Sequence, residues 1–194
     1  MLTSSTVVKS HLQISGTTYD TVLASLVTQV DSYIEKKTGV KVGSSAAVTL
    51  TNEIRDSDGS LIITTKFKPI ASITKIEAKD GSGNWIEYTD EVVGSIDFDT
   101  EGDRIFTKYV VNGKGKRNLR LSYTAGYIST GSANVPKDLE LCATLMVAGL
   151  FNQRGLTGLS SQTVLTLTQS ISDFVNSNPF IQETLNRYTS VYAL

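Results

Sequence analysis

The chain holds one histidine and one cysteine. His11 stands near the start with no second histidine anywhere and no cysteine nearby. Metal sites and catalytic triads draw on several such groups, so a lone imidazole reads as a surface residue. Cys142 lies in an apolar run, has no partner for an intrachain disulfide, and reads as a small buried hydrophobe. Asp56-Ser-Asp-Gly59 resembles the opening of a calcium loop, but the glycine comes too early and Phe67 stands where the bidentate glutamate belongs. A hairpin turn is the expectation there. Asn112-Gly-Lys-Gly-Lys-Arg117 lacks the spacing of a phosphate loop and leads into a strand-like run, so it reads as a basic hairpin tip. Asp97, Asp99, Glu101 and Asp103 surround Gly102 and read as a solvated acidic loop. These basic and acidic loops have opposite signs, and a contact between them on neighbouring copies would weaken in salt. Trp85 and Tyr88, with Tyr19, Tyr123 and Tyr127, would suit a carbohydrate or nucleic-acid platform, but aromatics at strand positions more often pack a sheet. No acid–base pair, nucleophile constellation or metal set emerges, so the expectation is a non-enzyme without cofactor or metal.

The elements that carry these residues are legible from periodicity. With 194 residues, 40% hydrophobic and 19% charged, the chain is large enough to bury a core without disulfides. Its net charge of −1 gives no overall basic field for holding nucleic acid. The start lacks the basic-then-apolar pattern of a secretory signal, which makes cytoplasmic synthesis the expectation. A short helix within Leu2 to Leu12, capped by Thr3 or Ser4, ends before Gly16. Thr18 then reads as the cap of a second helix. Val22, Leu23, Leu26, Val27, Val30, Tyr33 and Ile34 recur at three-to-four spacing, and Gly39 suits its left-handed end. From Ala46 to Thr124 the pattern changes to about six short strands separated by Asp-Gly and Asn-Gly turns, as in antiparallel hairpins.

Pro136 then opens a third helix, with Asp138 and Glu140 favourably placed in its first turns. From Leu141 to Phe151 only Thr144 is clearly polar, which demands cover on nearly every side. The run is too short to span a bilayer, which takes about 20 such residues. Leu139, Cys142, Leu145, Met146 and Leu150 are its expected core positions. Should the neighbouring helices leave one face of it bare, that face is expected to meet a copy of the same protein. Residues 155–176 are rich in Ser, Thr and Gln, and Leu165, Leu167 and Ile171 fall at even spacing. That pattern predicts an extended arm seeking a partner's sheet edge. Asn178 and Pro179 open a last helix with Ile181, Leu185, Tyr188 and Tyr192 as its stripe.

Several of these pieces, in this order, resemble the head–tail connector, or adaptor, family of tailed phages. They are Tyr19-Asp20, Ile34 to Gly39, Lys68-Pro-Ile70, the Tyr-Thr-Ala-Gly-Tyr run ending at Tyr127, and Val135 to Leu139. The stretch from Val92 to Arg104 has no counterpart in that pattern. The resemblance implies an α+β subunit: a bundle of about four helices formed by residues 1–45 and 125–194, with a β-hairpin-rich antiparallel insert at 46–124 between the second and third helices. It implies a dodecameric ring beneath the portal of the virion. That ring extends the DNA channel, lets DNA pass without sequence-specific binding, and seats a further connector, stopper or tail protein. It places the arm against the portal or a neighbouring subunit, through Leu165, Thr166, Leu167, Thr168, Ile171 and Phe174. The competing expectation is a small soluble module using the β-rich segment to recognise protein or carbohydrate.

Overall fold

A computed structural model describes residues 1–43, 48–88, 98–128, 135–157 and 164–189. The chain opens with α1 (Ser5–Leu12) and α2 (Asp20–Thr38). Ser4 caps α1 by accepting from the Val7 backbone N–H. The cap position of α2 is Tyr19, whose side chain makes no capping bond, so Thr18 does not take the role its type suggested. Gly39 ends α2 in the left-handed region and donates to the Glu35 carbonyl at 2.8 Å.

Among the described residues nine strands follow: β1 (Val42–Gly43), β2 (Val48–Ser57), β3 (Ile62–Thr64), β4 (Ile70–Lys79), β5 (Trp85–Glu87), β6 (Phe98–Glu101), β7 (Arg104–Thr107), β8 (Gly115–Ala125) and β9 (Tyr127–Ile128). They form a four-stranded antiparallel sheet in the order β2-β8-β4-β5, a three-stranded antiparallel sheet β3-β7-β6, and a parallel pair β1-β9. Strand β8 is the spine of the larger sheet. Leu119, Leu121, Tyr123 and Ala125 alternate inward along it, as a strand covered on one face requires. They meet Ile76 from β4 and Ile63 and Ile105 from the smaller sheet, so the two sheets share one core.

The sequence turns act differently from expectation. Asp80 to Asn84 does close a hairpin, β4 to β5, where the Asp80 carboxylate accepts from the backbone of Ser82 and Asn84. Asp56 to Gly59 and Asn112 to Gly115 instead carry the chain from one sheet to the other, and so close no hairpin. They also pack together: Ser57 Oγ donates to the Asn112 carbonyl at 3.0 Å, and the Arg117 N–H donates to Asp56 at 2.8 Å. The acidic run is a hairpin as well. Asp99 and Glu101 sit on β6, and Gly102-Asp103 is a two-residue turn into β7. Asp97 lies outside the described residues.

The helical half is completed by α3 (Lys137–Thr157), α4 (Val164–Ser177) and α5 (Pro179–Tyr188). The helix start falls one residue after Pro136, whose carbonyl accepts from Glu140. Among the described residues five helices therefore stand where about four were expected, and α4 takes up much of the segment read as the arm, of which residues 158–163 lie outside the described residues. Residues 155–157 continue α3 and 164–176 belong to α4. The even spacing of Leu165, Leu167 and Ile171 hid a second pattern. Val164, Leu167, Ile171, Phe174 and Val175 recur at three and four, which is helical. Ile171 and Val175, four apart, are buried in the helical core.

The two halves join along a backbone seam. Lys68 donates to the Gly39 carbonyl, Lys41 to that of Lys68, Gly126 to that of Pro69, and Tyr127 to that of Lys41. The Lys68–Pro69 peptide is cis. Gly126 sits at φ +106°, where a Cβ would stand 2.5 Å from the Lys41 carbonyl oxygen. Only glycine fits this crossing without displacement.

Candidate assembly surfaces

The central helix α3 touches α1, α2, α4 and α5. Leu139, Cys142, Met146 and Leu150 are buried in it, and Leu145 is half-buried against the same core. Burial pushes the Cys142 thiol up to about 12, which keeps it protonated and unreactive. Thr144 donates back to the Glu140 carbonyl at 2.9 Å and also lies 2.8 Å from the Thr3 hydroxyl. Its one proton is thereby used, so Thr3 is the donor of the second bond. The first turn of α3 is tied to α5 through Asp138. It accepts from Tyr188 at 2.9 Å and from Arg187 at 3.2 Å.

Among the described residues the four other helices leave one strip of α3 uncovered. Leu141 is 44% exposed, and Val7 of α1 across from it is 40% exposed. With His11 and Thr144 they line a groove of about 450 Å³. Among the described residues no group of three metal-ligating side chains forms, and His11 belongs to this groove instead.

The residues assigned to the arm divide in two. Ile171 is buried within its own chain. The Phe174 ring lies directly against Gly149 of α3, leaving no room for a Cβ there. Both side chains are thus occupied inside the subunit. Leu165, Thr166, Leu167 and Thr168 fall in the first turns of α4.

The β half presents a charged face and an open side. Glu77 is nearly enclosed. Its carboxylate is gripped by Arg120 through Nε at 2.6 Å and by Lys75 at 2.9 Å. These partners, Arg120 first, hold it down to about 2 against its burial. Arg120 and Lys79 also lie over the Trp85 ring, at 4.7 and 5.1 Å. On the other face Tyr123 donates to Glu53, and burial followed by that carboxylate raises its phenol above the ordinary range. Tyr19 packs edge-on against Phe151, and Tyr127 packs on the helical core. The five aromatics are therefore scattered and build no common platform. Between the β2 and β3 sides of the two sheets lies a cleft of about 750 Å³. Ile62, Ile63, Val111 and Leu119 make it apolar, and Asp58, Arg104 and Lys114 rim it. Sequence reading missed this cleft because it depends on two turns changing sheets.

The chain matches no protein-family model and no curated protein. Its fold is nonetheless shared, nearly end to end, with solved assemblies. A chain of the neck of an empty GTA particle, computed with C6 symmetry, superposes with a TM-score of 0.58 at 17% identity, covering 97% of this chain and 90% of that one. A chain of the neck of a native GTA particle, computed with C12 symmetry, gives 0.56 at 16% identity, covering 97% and 89%. A chain of the virion of a native gene transfer agent (GTA) particle is also similar, with a TM-score of 0.49 at 18% identity. At these identities the likeness establishes the α+β fold.

Proposed function

We propose that this chain is a structural subunit of the neck of a phage-like particle, working as a head–tail connector. The observation that carries this reading is the fold match over 97% of the chain to subunits of two neck structures. The sixfold and twelvefold symmetry of those necks supports a ring, and we take the ring to be dodecameric. In this reading the ring sits beneath the portal, extends the DNA channel, and seats the next connector, stopper or tail protein. A net charge of −1 suits a channel through which DNA slides without being held. The first turns of α4, with Leu165, Thr166, Leu167 and Thr168, are the segment we assign to the portal. No helix among the described residues is long and apolar enough to cross a membrane.

The test is native mass, for the chain alone and mixed with portal protein. A closed ring, formed alone or on the portal, is the expected result. A species that stays monomeric at high concentration and ignores the portal would overturn the reading, and would favour the small binding module instead.

A further inference from the structure

The four-stranded sheet ends in two different open edges, and the two are complementary. Its order is β2-β8-β4-β5 and every adjacent pair is antiparallel, so β2 and β5 run in opposite directions. A copy placed beside another in the same orientation would bring its β5 antiparallel against the first copy's β2. The sheet would then continue with its alternation unbroken. Among the described residues nothing pairs with the outer edge of either strand. Unpaired strand edges are templates for another strand, and proteins that leave them open without a partner risk aggregation.

Side chains point to the same pairing. Directly opposed residues share a face, and the row Arg55–Leu119–Ala78–Ile86 crosses the sheet. Leu119 is 2% exposed and marks that row as the inner face, toward the second sheet. Ile86 is therefore an inner-face isoleucine, yet among the described residues it is left 56% exposed. At the opposite edge the reverse holds. Beyond β2 the two sheets stay apart, leaving the cleft of about 750 Å³ with Ile62, Ile63 and Leu119 in its wall. One edge has an inner-face knob without cover. The other has an apolar cover without a knob.

We infer that neighbouring copies of this chain join by adding β5 of one to β2 of the next, with Ile86 entering the neighbour's β2–β3 cleft. This rests on the ring proposed above and names the contact that builds it. Because the two surfaces differ, the contact is head-to-tail, which is the kind that closes a ring when the rotation fits. The inner side of β2 carries charge as well. Glu53 and Arg55 point inward in the half of the strand toward Ser57 and pair with each other at 2.7 Å. Inward charges of this kind also discourage two β2 edges from pairing with each other.

The experiment uses the full chain, with portal present if the ring needs it. Ile86→Lys removes the knob and Ile62→Lys spoils the cleft wall. Each variant alone should remain folded by circular dichroism and lose the ring by native mass. An equal mixture of the two should recover dimers but no ring, because one intact surface survives on each kind of copy. In an otherwise wild-type chain, Ile62→Cys with Ile86→Cys should give a ladder of multimers with a short bismaleimide, whereas either cysteine alone should give none beyond the wild-type background. Rings that form normally from both lysine variants, with no ladder from the double-cysteine chain, overturn this contact and leave the neck reading standing. A wild-type chain that forms no ring under any condition overturns both.

Discussion

In the helical half, Leu23 and Val30 of α2, Leu139 and Met146 of α3, and Leu185 of α5 are all 1% exposed or less, and they form one apolar cluster. The β half has a smaller cluster, centred on Ile76, Leu121 and Tyr123, and surrounds it with polar ties. Glu77 with Arg120, Glu53 with Tyr123, and Ser57 with Asn112 each bridge residues far apart in sequence. Apolar burial is non-directional, so the helical half tolerates exchange of shape at constant volume. Hydrogen-bonded ion pairs are directional and responsive to pH. The β half should therefore be the half whose stability depends on conditions.

The largest expected effect tests the apolar side of this contrast. Met146→Ala removes a fully buried side chain between helices and should cost about 2–5 kcal/mol, read as a lowered denaturant midpoint. Leu145→Ala, at a half-buried site, should cost clearly less. Equal losses at the two positions would mean that the exposed strip of α3 is covered in solution.

Gly126→Ala tests whether the halves are one cooperative unit. The substitution forces a side chain into φ +106° and against the Lys41 carbonyl, for about 1–3 kcal/mol from backbone strain alone. Trp85 fluorescence reports the β half and far-UV ellipticity is dominated by the helices. The two transitions coincide if the seam couples the halves, and separate in the variant if Gly126 is where that coupling resides.

The polar side of the contrast is read from pH. Glu77 titrates near 2 in the fold and near 4.5 as an ordinary carboxyl. A depressed folded value means that its stabilisation is complete above about 4.5 and is lost as pH falls toward about 2. Lys75 is well exposed, so solvent screening limits the contribution to about 1–2 kcal/mol. Glu77→Gln should lower stability at neutral pH and flatten its acid dependence in that window. An unchanged acid limb would assign acid sensitivity to another carboxyl.

The helices at Asp20–Thr38 and Pro179–Tyr188 were legible from their apolar stripes, with the Gly39 stop marking the first and the Asn178 cap the second. Strand content was legible for the same local reason, through the alternation that ends in Ala125. Sheet membership was not. Asp56-Ser-Asp-Gly59 looks the same locally whether the chain folds back on β2 or crosses to β3, and Asn118 and Asn112, which fix the crossing, lie more than fifty residues away. The arm failed because a run with threonines between leucines satisfies a period of two and one of 3.6 together. What decides for the helix is Ile171 and Val175 finding α3 and α5, a tertiary contact with no local mark. The cleft and the exposed Ile86 depend on both crossings and were beyond reach for that reason.

The smallest effect asks whether the helical half has polar dependence of its own. Tyr188 donates to Asp138 at 2.9 Å, and burial followed by that carboxylate raises its phenol above the ordinary range. A raised value means that the bond's contribution is whole below about 10 and fades as pH rises further. Tyr188→Phe keeps the ring packed and removes only the donor, for about 0.5–1.5 kcal/mol. Arg187 reaches the same carboxylate at 3.2 Å but is 61% exposed, so Arg187→Ala should be nearly silent. A double-mutant cycle with Asp138→Asn separates the two contributions. A large coupling to Arg187 and none to Tyr188 would mean that the α3–α5 tie is a surface ion pair. The helical half would then depend on salt, as the β half depends on pH, and the contrast between them would narrow to the identity of the charged groups.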